Sequence, residues 1–463
     1  MIDNIDSHLA AAVSLPVTIT FAGILVAMIL TLTLEEKIHA KKSVIVGFFA
    51  VLCLGLASFF HLVPLGDIIL PNGHNIKMPA YIPGVDWEVI AIILGSSIFI
   101  DVISKSGLFA WIAIKLTKMS KGDPHKLLWY YGFMTVFFSA VLNNVTAMII
   151  VGSLTVVSLD KLKLRQLLLG FLIVEGLLTN VGGLLTLISS VPNIIVGNAA
   201  SISFTQFFIS ASPYVLVTSC VTIFMGAKIF KVKGFASVEE KEEANLLVSS
   251  FDENDSVESK LFFKFSIFIL GAFIVTIALT SILPVVKDLG IGFVAMSFAV
   301  IALLRYKSEV DQFYKAIDWD LISFFVALFV VINVMEHALV LDLIGQVIAM
   351  IIGESASVLG TAALLVSAAV FSSVTDNIPL AAMLAKILSS MNIASESSLW
   401  WSVIFGANLG GNLTPIGSAS TLVAVTIMHK HKLPISFAGF VKHAAPFAAV
   451  QIILAALYVV VFL

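Results

Sequence analysis

Charge is scarce in this chain. Only 12% of its 463 residues are Asp, Glu, Lys or Arg, about half the roughly 25% of soluble domains. The net formal charge of −3 offers no basic surface for nucleic acid. There are two cysteines, Cys53 and Cys220, each inside an apolar run, which argues against a disulfide framework and a cysteine metal site. The sequence has no Gly-x-Ser-x-Gly, no His-Glu-x-x-His, no paired catalytic aspartates and no nucleotide-binding P-loop. These motifs would carry hydrolytic, metalloenzyme or ATP-driven chemistry, so an enzyme is not expected and a primary pump would need a separate ATPase subunit. The start, Met1-Ile2-Asp3-Asn4-Ile5-Asp6, lacks the basic region of a signal peptide.

Apolar sequence is abundant. Hydrophobic residues make up 59% of the chain, and stretches long enough to cross a bilayer lie near 15–34, 43–64, 87–104, 209–229, 262–284, 287–304, 319–341 and 444–463. Four more, at 127–158, 166–200, 357–391 and 399–428, are interrupted by Asn, Gly, Pro or Ser. The chain therefore reads as an all-α polytopic protein whose first partner is the lipid bilayer. If the loops at 35–42, 105–126, 160–165, 228–264, 305–315 and 429–442 face the cytoplasm, they hold 23 of the 26 Lys and Arg residues, as the positive-inside rule requires. That assignment puts the N-terminus outside. It also makes 127–158 and 357–391 re-entrant hairpins, the first entering from the cytoplasmic side and the second from the outer side.

The chain carries one pattern twice. Phe138-Ser139-Ala140-Val141-Leu142-Asn143-Asn144 returns as Phe371-Ser372-Ser373-Val374-Thr375-Asp376-Asn377, Asn180-x-Gly182-Gly183 as Asn408-x-Gly410-Gly411, and Trp87-Glu88 as Trp319-Asp320. The offset stays between 228 and 233 residues. With the charge pattern, this gives two inverted repeats: residues 1–230 with the hairpin 127–158 and broken helix 166–200, and 261–463 with the hairpin 357–391 and broken helix 399–428. Between them, 231–260 reads as a solvated cytoplasmic linker rich in Glu and Asp. Such repeats with matched polar breaks mark secondary transporters.

The breaks are where ions can be held. Irregular backbone at membrane depth is tolerated only when buried in protein or lining a watery cavity, so the tips Asn143-Asn144-Val145-Thr146 and Asp376-Asn377-Ile378-Pro379 should face an internal site. The paired glycines Gly182-Gly183 and Gly410-Gly411 mark unwound segments. They lead to Thr186, Pro192 and Asn193 in one half, and to Asn412, Thr414 and Ser418 in the other. Free carbonyls there suit a small cation, and exposed N–H groups of the following half-helix suit an anion. Asn144, Asn377, Thr186 and Thr414 are the expected sodium ligands. Ionisable groups inside a bilayer are functional candidates, which singles out Asp376, Glu175 and Asp101 as proton carriers. Asp101 has Asn333 as its counterpart, so hydrogen bonding between helices is an equal reading of it.

On these residues the chain resembles the ion transporter superfamily, in the branch of arsenite-efflux permeases, NhaD-type sodium/proton antiporters and P-protein-like permeases. The motifs are Leu142-Asn143-Asn144-Val145-Thr146, Thr375-Asp376-Asn377-Ile378-Pro379, Asn180-Val181-Gly182-Gly183 with Pro192-Asn193, and Asn408-Leu409-Gly410-Gly411-Asn412 with Pro415-Ile416-Gly417. The resemblance implies a scaffold domain, a transport domain with two hairpins and two discontinuous helices, elevator movement, a homodimer and a bacterial inner membrane. Many relatives have Asp-Asn at the first hairpin, where this chain has Asn143-Asn144. The expected function is secondary active ion transport by alternating access, with sodium/proton antiport as its leading form and sodium as coupling or transported ion. The alternative is transport of an arsenite-like oxyanion or a di- or tricarboxylate, coupled to sodium or protons. No other cofactor is expected.

Overall fold

The structure, a computed structural model, describes residues 13–63, 66–69, 75–78, 81–353, 357–375, 377–433 and 435–463. The first repeat contains α1 (Leu15–Thr33), α2 (Glu35–Ile38), α3 (Lys42–Phe59), α4 (Trp87–Ser104), α5 (Leu108–Ser120), α6 (Pro124–Val141), α7 (Asn144–Lys161), α8 (Leu168–Gly183), α9 (Val191–Ala199) and α10 (Phe204–Ile229). Helix α11 (Val238–Ser249) lies in the connection. The second repeat contains α12 (Lys260–Ala278), α13 (Val286–Leu303), α14 (Val310–Ala316), α15 (Trp319–His337), α16 (Val340–Ile352), α17 (Val358–Val374), α18 (Asn377–Ser390), α19 (Ser398–Gly410), α20 (Ala419–Lys430) and α21 (Phe437–Phe462). The fold is all-helical apart from a small antiparallel ribbon of β1 (Gly66–Ile69) and β2 (Asn75–Met78) between α3 and α4. The all-α expectation placed no strand there, although Asn72-Gly73 between Ile68-Ile69 and Ile76 is a hairpin signal.

Apart from the short α2 and α14, the two repeats match helix for helix: α1 with α12, α3 with α13, and α4 to α10 with α15 to α21. Local chemistry repeats too. Asp86 caps α4 by accepting from the Glu88 and Val89 amides, and Asp318 caps α15 through Leu321. Ser203 and Ser436 cap the two 26-residue helices, each of which has a proline inside, Pro213 and Pro446. Cap side chains of this kind satisfy amides that a helix cannot satisfy itself.

Packing interleaves the halves. Helix α4 lies on α13 and α15 lies on α3, which are the same contact seen from each repeat. In the inner layer α7 lies on α20 and α18 on α9, again a symmetric exchange. Helices α8 and α19 are buried along nearly their whole length, whereas α1 and α12 keep many large apolar side chains exposed, as lipid-facing helices should. Ten helices of the described residues are long and apolar enough to span a membrane. One of them, Asn144–Lys161, meets that standard and yet does not cross. Its first residue is hydrogen-bonded to the middle of the protein, as described below, so it is the returning limb of a hairpin.

Polar contacts sort the loops into two faces. Lys118 pairs with Glu253 and Lys163 with Glu243, and Arg165 donates to the His431 carbonyl. On the opposite face Glu88 accepts from the Ile291 amide and from Asn198. These groupings agree with the loop assignment made from charge. The connection is more ordered than a solvated linker: Ser237 and Glu240 form a capping box, and Ala244 and Val248 bury one side of α11, which packs on α5. The hydrogen bond from Lys118 holds the Glu253 carboxyl below its usual 4.5; that support is present above the usual value and lost as pH falls through the lowered one. Single cysteines in 160–165 and in 389–398 are expected to react with an impermeant maleimide from opposite sides of the membrane. Labelling from one side only would contradict the inverted arrangement.

Candidate functional site

Each broken helix stops at its glycine pair and restarts after an irregular segment, 184–190 in the first repeat and 411–418 in the second. The segments cross, and each is tied to the other repeat. Asn180 donates to Asn412 Oδ1 at 2.8 Å and to Ser418 Oγ at 2.9 Å, and its own Oδ1 accepts from Ser420 at 3.1 Å and from Asn144 at 3.3 Å. Asn408, the counterpart of Asn180, donates to Asn193 Oδ1 at 2.9 Å and accepts from Ser190 at 2.6 Å. The rule is the same in both directions: the asparagine before one glycine pair bonds the serine that ends the other break. All six of Asn180, Asn408, Asn412, Asn193, Ser190 and Ser418 are buried.

The hairpins are latched onto this crossing by a second symmetric set. Ser139 donates to the Thr179 carbonyl and Ser372 to the Ala407 carbonyl. Thr186 donates to Ala140 O at 2.6 Å and Thr414 to Ser373 O at 2.5 Å. Each break also gathers carbonyls around one side chain: Asn193 donates to Gly183 O and Thr186 O, and Thr421 bonds toward Gly411 O, Thr414 O and Pro415 O. The arrangement can present oxygens to a small cation. Half-helices also pair across the repeats, α7 with α20 and α9 with α18, and the N-terminal end of each carries partial positive charge.

The expected residues divide accordingly. Asn144 is half-buried and joins the crossing, and Gly183 lies so close to it that a Cβ there would sit 2.5 Å from Asn144 Oδ1. Asn143 is exposed and caps α7 by accepting from the Thr146 amide. Pro192 is buried in the first turn of α9. Gly182 packs on Val136, Gly410 on Ala369 and Gly411 on Gly417. Asn377 is buried at the start of α18. Asp376 lies outside the described residues. Glu175 is fully buried on α8, accepts from Thr155 at 2.6 Å, and sits away from the crossing. Asp101 is half-buried near the end of α4, outside the network described above.

Sequence reasoning missed Gln451, a buried residue of α21 that accepts from Asn412 at 2.7 Å and donates to Thr222 at 2.9 Å. A lone glutamine inside the otherwise apolar run 444–463 was the available signal. A cavity of 470 Å³ reaches the second hairpin turn at Thr375 and Pro379 and the second break at Ile416, with Glu35 and Lys42 also on its wall. Beside the first hairpin, Ala140, Val141 and Thr186 line a void of only 40 Å³.

Comparison with known proteins agrees with this architecture. Residues 65–406 match the family described as "Citrate transporter", CitMHS. A 46 kDa membrane protein of Mycobacterium leprae is 29% identical over 81% of this chain and 86% of its own length. An uncharacterised transporter of Mycobacterium tuberculosis is 28% identical over 84% of this chain and 90% of its own. The human P protein is 22% identical over 97% of this chain, which spans 60% of that longer protein. Among solved structures, the YdaH transporter of Alcanivorax borkumensis, reported to have an unusual topology, superposes with a TM-score of 0.57 at 12% identity over 91% of this chain and 98% of that one. The Neisseria gonorrhoeae MtrF structure gives 0.56 at 14% identity, over 92% and 95%. These likenesses fit the ion transporter superfamily read from the motifs, and the profile match over most of the chain fixes the nearer assignment: the chain is a secondary membrane transporter belonging to the CitMHS citrate transporter family.

Proposed function

We propose that the chain moves a small carboxylate-class anion by alternating access, coupled to sodium or protons. The observation that carries this reading is the crossing itself, where neutral amides and hydroxyls from both repeats meet and where half-helices pair across the repeats, α7 with α20 and α9 with α18. In this reading the anion lies on the N-termini of those half-helices and on the Asn144 and Asn377 amides. Sodium takes oxygens of Asn144, Asn377, Thr186 and Thr414 with nearby break carbonyls, and Asp376 carries a proton. The cavity beside the second hairpin would then be an entry from the cytoplasm. We extend the proposal to elevator movement of a homodimer in a bacterial inner membrane with the N-terminus outside.

Sodium/proton antiport is the second reading. Glu175 favours it, because one of its buried carboxyl oxygens has no hydrogen-bond partner among the described residues and a group of that kind in a membrane protein is a functional candidate. Ligand-induced stabilisation of the purified protein separates the two. At 100 times its Kd, citrate is expected to stabilise by about 2.7 kcal/mol with sodium present and far less without it. Stabilisation by sodium alone, with no response to citrate or related anions, would favour antiport. Asp376→Asn recreates the Asn-Asn pair of the first hairpin and is expected to fold while losing the pH dependence of transport; a wild-type pH profile in that variant would reduce Asp376 to a cap.

A further inference from the structure

We propose that a file of hydroxyls formed by Thr117, Tyr131, Ser158 and Thr155 conducts protons between the cytoplasmic end of the first hairpin and Glu175, making Glu175 a proton-binding site separate from the asparagine crossing. The proposal rests on the reading of the chain as an ion-coupled transporter and adds a route to it. Glu175 stands on α8 with its side chain fully buried. Its Oε1 accepts from Thr155 at 2.6 Å, while Oε2 has no partner among the described residues. A buried carboxyl oxygen left unbonded costs stability, and no Lys, Arg or His forms an ion pair with this one among the described residues.

Leading away from it, α7 places Ser158 three residues beyond Thr155, about 4.5 Å along the axis and on nearly the same helix face. Ser158 Oγ lies 2.7 Å from the Tyr131 hydroxyl, which lies 2.7 Å from Thr117 Oγ1. Thr155, Tyr131 and Thr117 are completely buried, and Ser158, next to the exposed Asp160 and Lys161, is 7% exposed. The file thus opens at the end of α7 that the charge pattern assigns to the cytoplasm. Every member is a hydroxyl, able to donate and accept at once. Ser158 and Thr155 are not hydrogen-bonded to each other among the described residues, so the transfer between them runs through a bridging water: a proton reaching Ser158 displaces that hydroxyl's own proton to the water, the water passes one on to Thr155, and the Thr155 proton passes to the Glu175 carboxylate. One proton enters, one carboxylate is neutralised, and rotation of the hydroxyls resets the file.

Titratable groups on the other helices around α8 are engaged elsewhere. Tyr214 of α10 donates to the Gln451 carbonyl, His429 of α20 bonds the Ile435 carbonyl, and His443 of α21 bonds the Gly439 carbonyl. Asp160 of α7 pairs with Arg165. His125, Lys126 and Tyr130 of α6, Lys161 of α7, Cys220 and Lys228 of α10, Lys430 of α20, and Lys442 and Tyr458 of α21 complete the set, and none of them is hydrogen-bonded to Glu175 among the described residues. Tyr131 is therefore the titratable residue that belongs to the route.

Infrared spectroscopy of the full-length protein in lipid nanodiscs tests this without a transport assay. Across a pH series, the protonated carboxyl C=O stretch lost in Glu175→Gln identifies the group. Its shift on transfer to heavy water then measures how fast protons reach it. Tyr131→Phe and Ser158→Ala are expected to slow that shift at least about tenfold, equivalent to roughly 1.4 kcal/mol on the barrier, while Tyr214→Phe leaves it unchanged. Thr155→Val gives a second reading if Tyr131→Phe does not fold. Wild-type exchange rates in the folded file variants would overturn the proposal, as would a carboxyl band unaffected by Glu175→Gln. Flux that ignores the proton gradient would remove proton coupling while leaving the exchange result standing.

Discussion

Asn180→Ala is expected to reduce transport to background while the protein still reaches the membrane. Asn180 is the residue through which the first break holds the second: its amide serves Asn412 and Ser418, and its oxygen serves Ser420 and the hairpin residue Asn144. Alanine leaves several buried polar groups unmatched, at about 1–3 kcal/mol for each one that stays so. The loss should show as a lower unfolding midpoint in detergent. Asn408→Ala removes the symmetry-related bonds to Asn193 and Ser190 and should behave alike. Asn143→Ala is the informative contrast, since Asn143 is an exposed cap whose loss costs about 1 kcal/mol. Flux and thermal midpoint measured together check the ordering, and an Asn180→Ala variant with wild-type flux would remove the crossing from the transport site.

Gly410→Ala is also expected to cost stability. A Cβ at Gly410 would lie 2.2 Å from the Ala369 carbonyl oxygen and 2.8 Å from the Ala369 Cα, so the obstacle is the backbone of α17 and no side chain can swing aside. The helices must part. Overpacking of this kind costs about 1–3 kcal/mol or more, and here it also displaces the limb that carries the second hairpin tip. Gly271 offers the control, because a Cβ there meets nothing within 4 Å and Gly→Ala within a helix is favourable by propensity. Surface yield and unfolding midpoint should fall for Gly410→Ala and hold or rise for Gly271→Ala. Equal behaviour would mean that α17 and α19 are not packed backbone to backbone.

Much of this architecture was legible because membrane chemistry narrows the choices. Paired polar residues such as Asn143-Asn144 within apolar sequence can only be turns that face protein or water, and the constant offset between the halves assigns each turn a partner. The helix pairs α6–α7 and α17–α18, and the breaks after Gly183 and Gly410, follow from that. Helix α5 was read as part of a loop because Lys115 and Lys118 interrupt its apolar character, although a helix lying along a face of the protein tolerates such residues. Helix α11 looked like solvated sequence; its burial depends on just Ala244 and Val248 meeting α5, a signal too small to see among acids. The crossing was invisible in detail. Asn180 and Asn412, or Asn408 and Asn193, are joined over more than 200 residues by the interleaving of the repeats, and no local periodicity encodes which amide meets which hydroxyl.

Uphill flux tests the central claim most directly. Proteoliposomes containing the purified protein would be given imposed sodium and proton gradients separately, with labelled citrate and related di- and tricarboxylates offered in each case. The expected result is accumulation of a carboxylate against its own gradient, driven by one of the two cations and abolished by Asn180→Ala. Cation exchange with no carboxylate movement would contradict anion transport and leave antiport. Passive carboxylate equilibration that neither gradient can drive uphill would contradict coupled alternating access altogether.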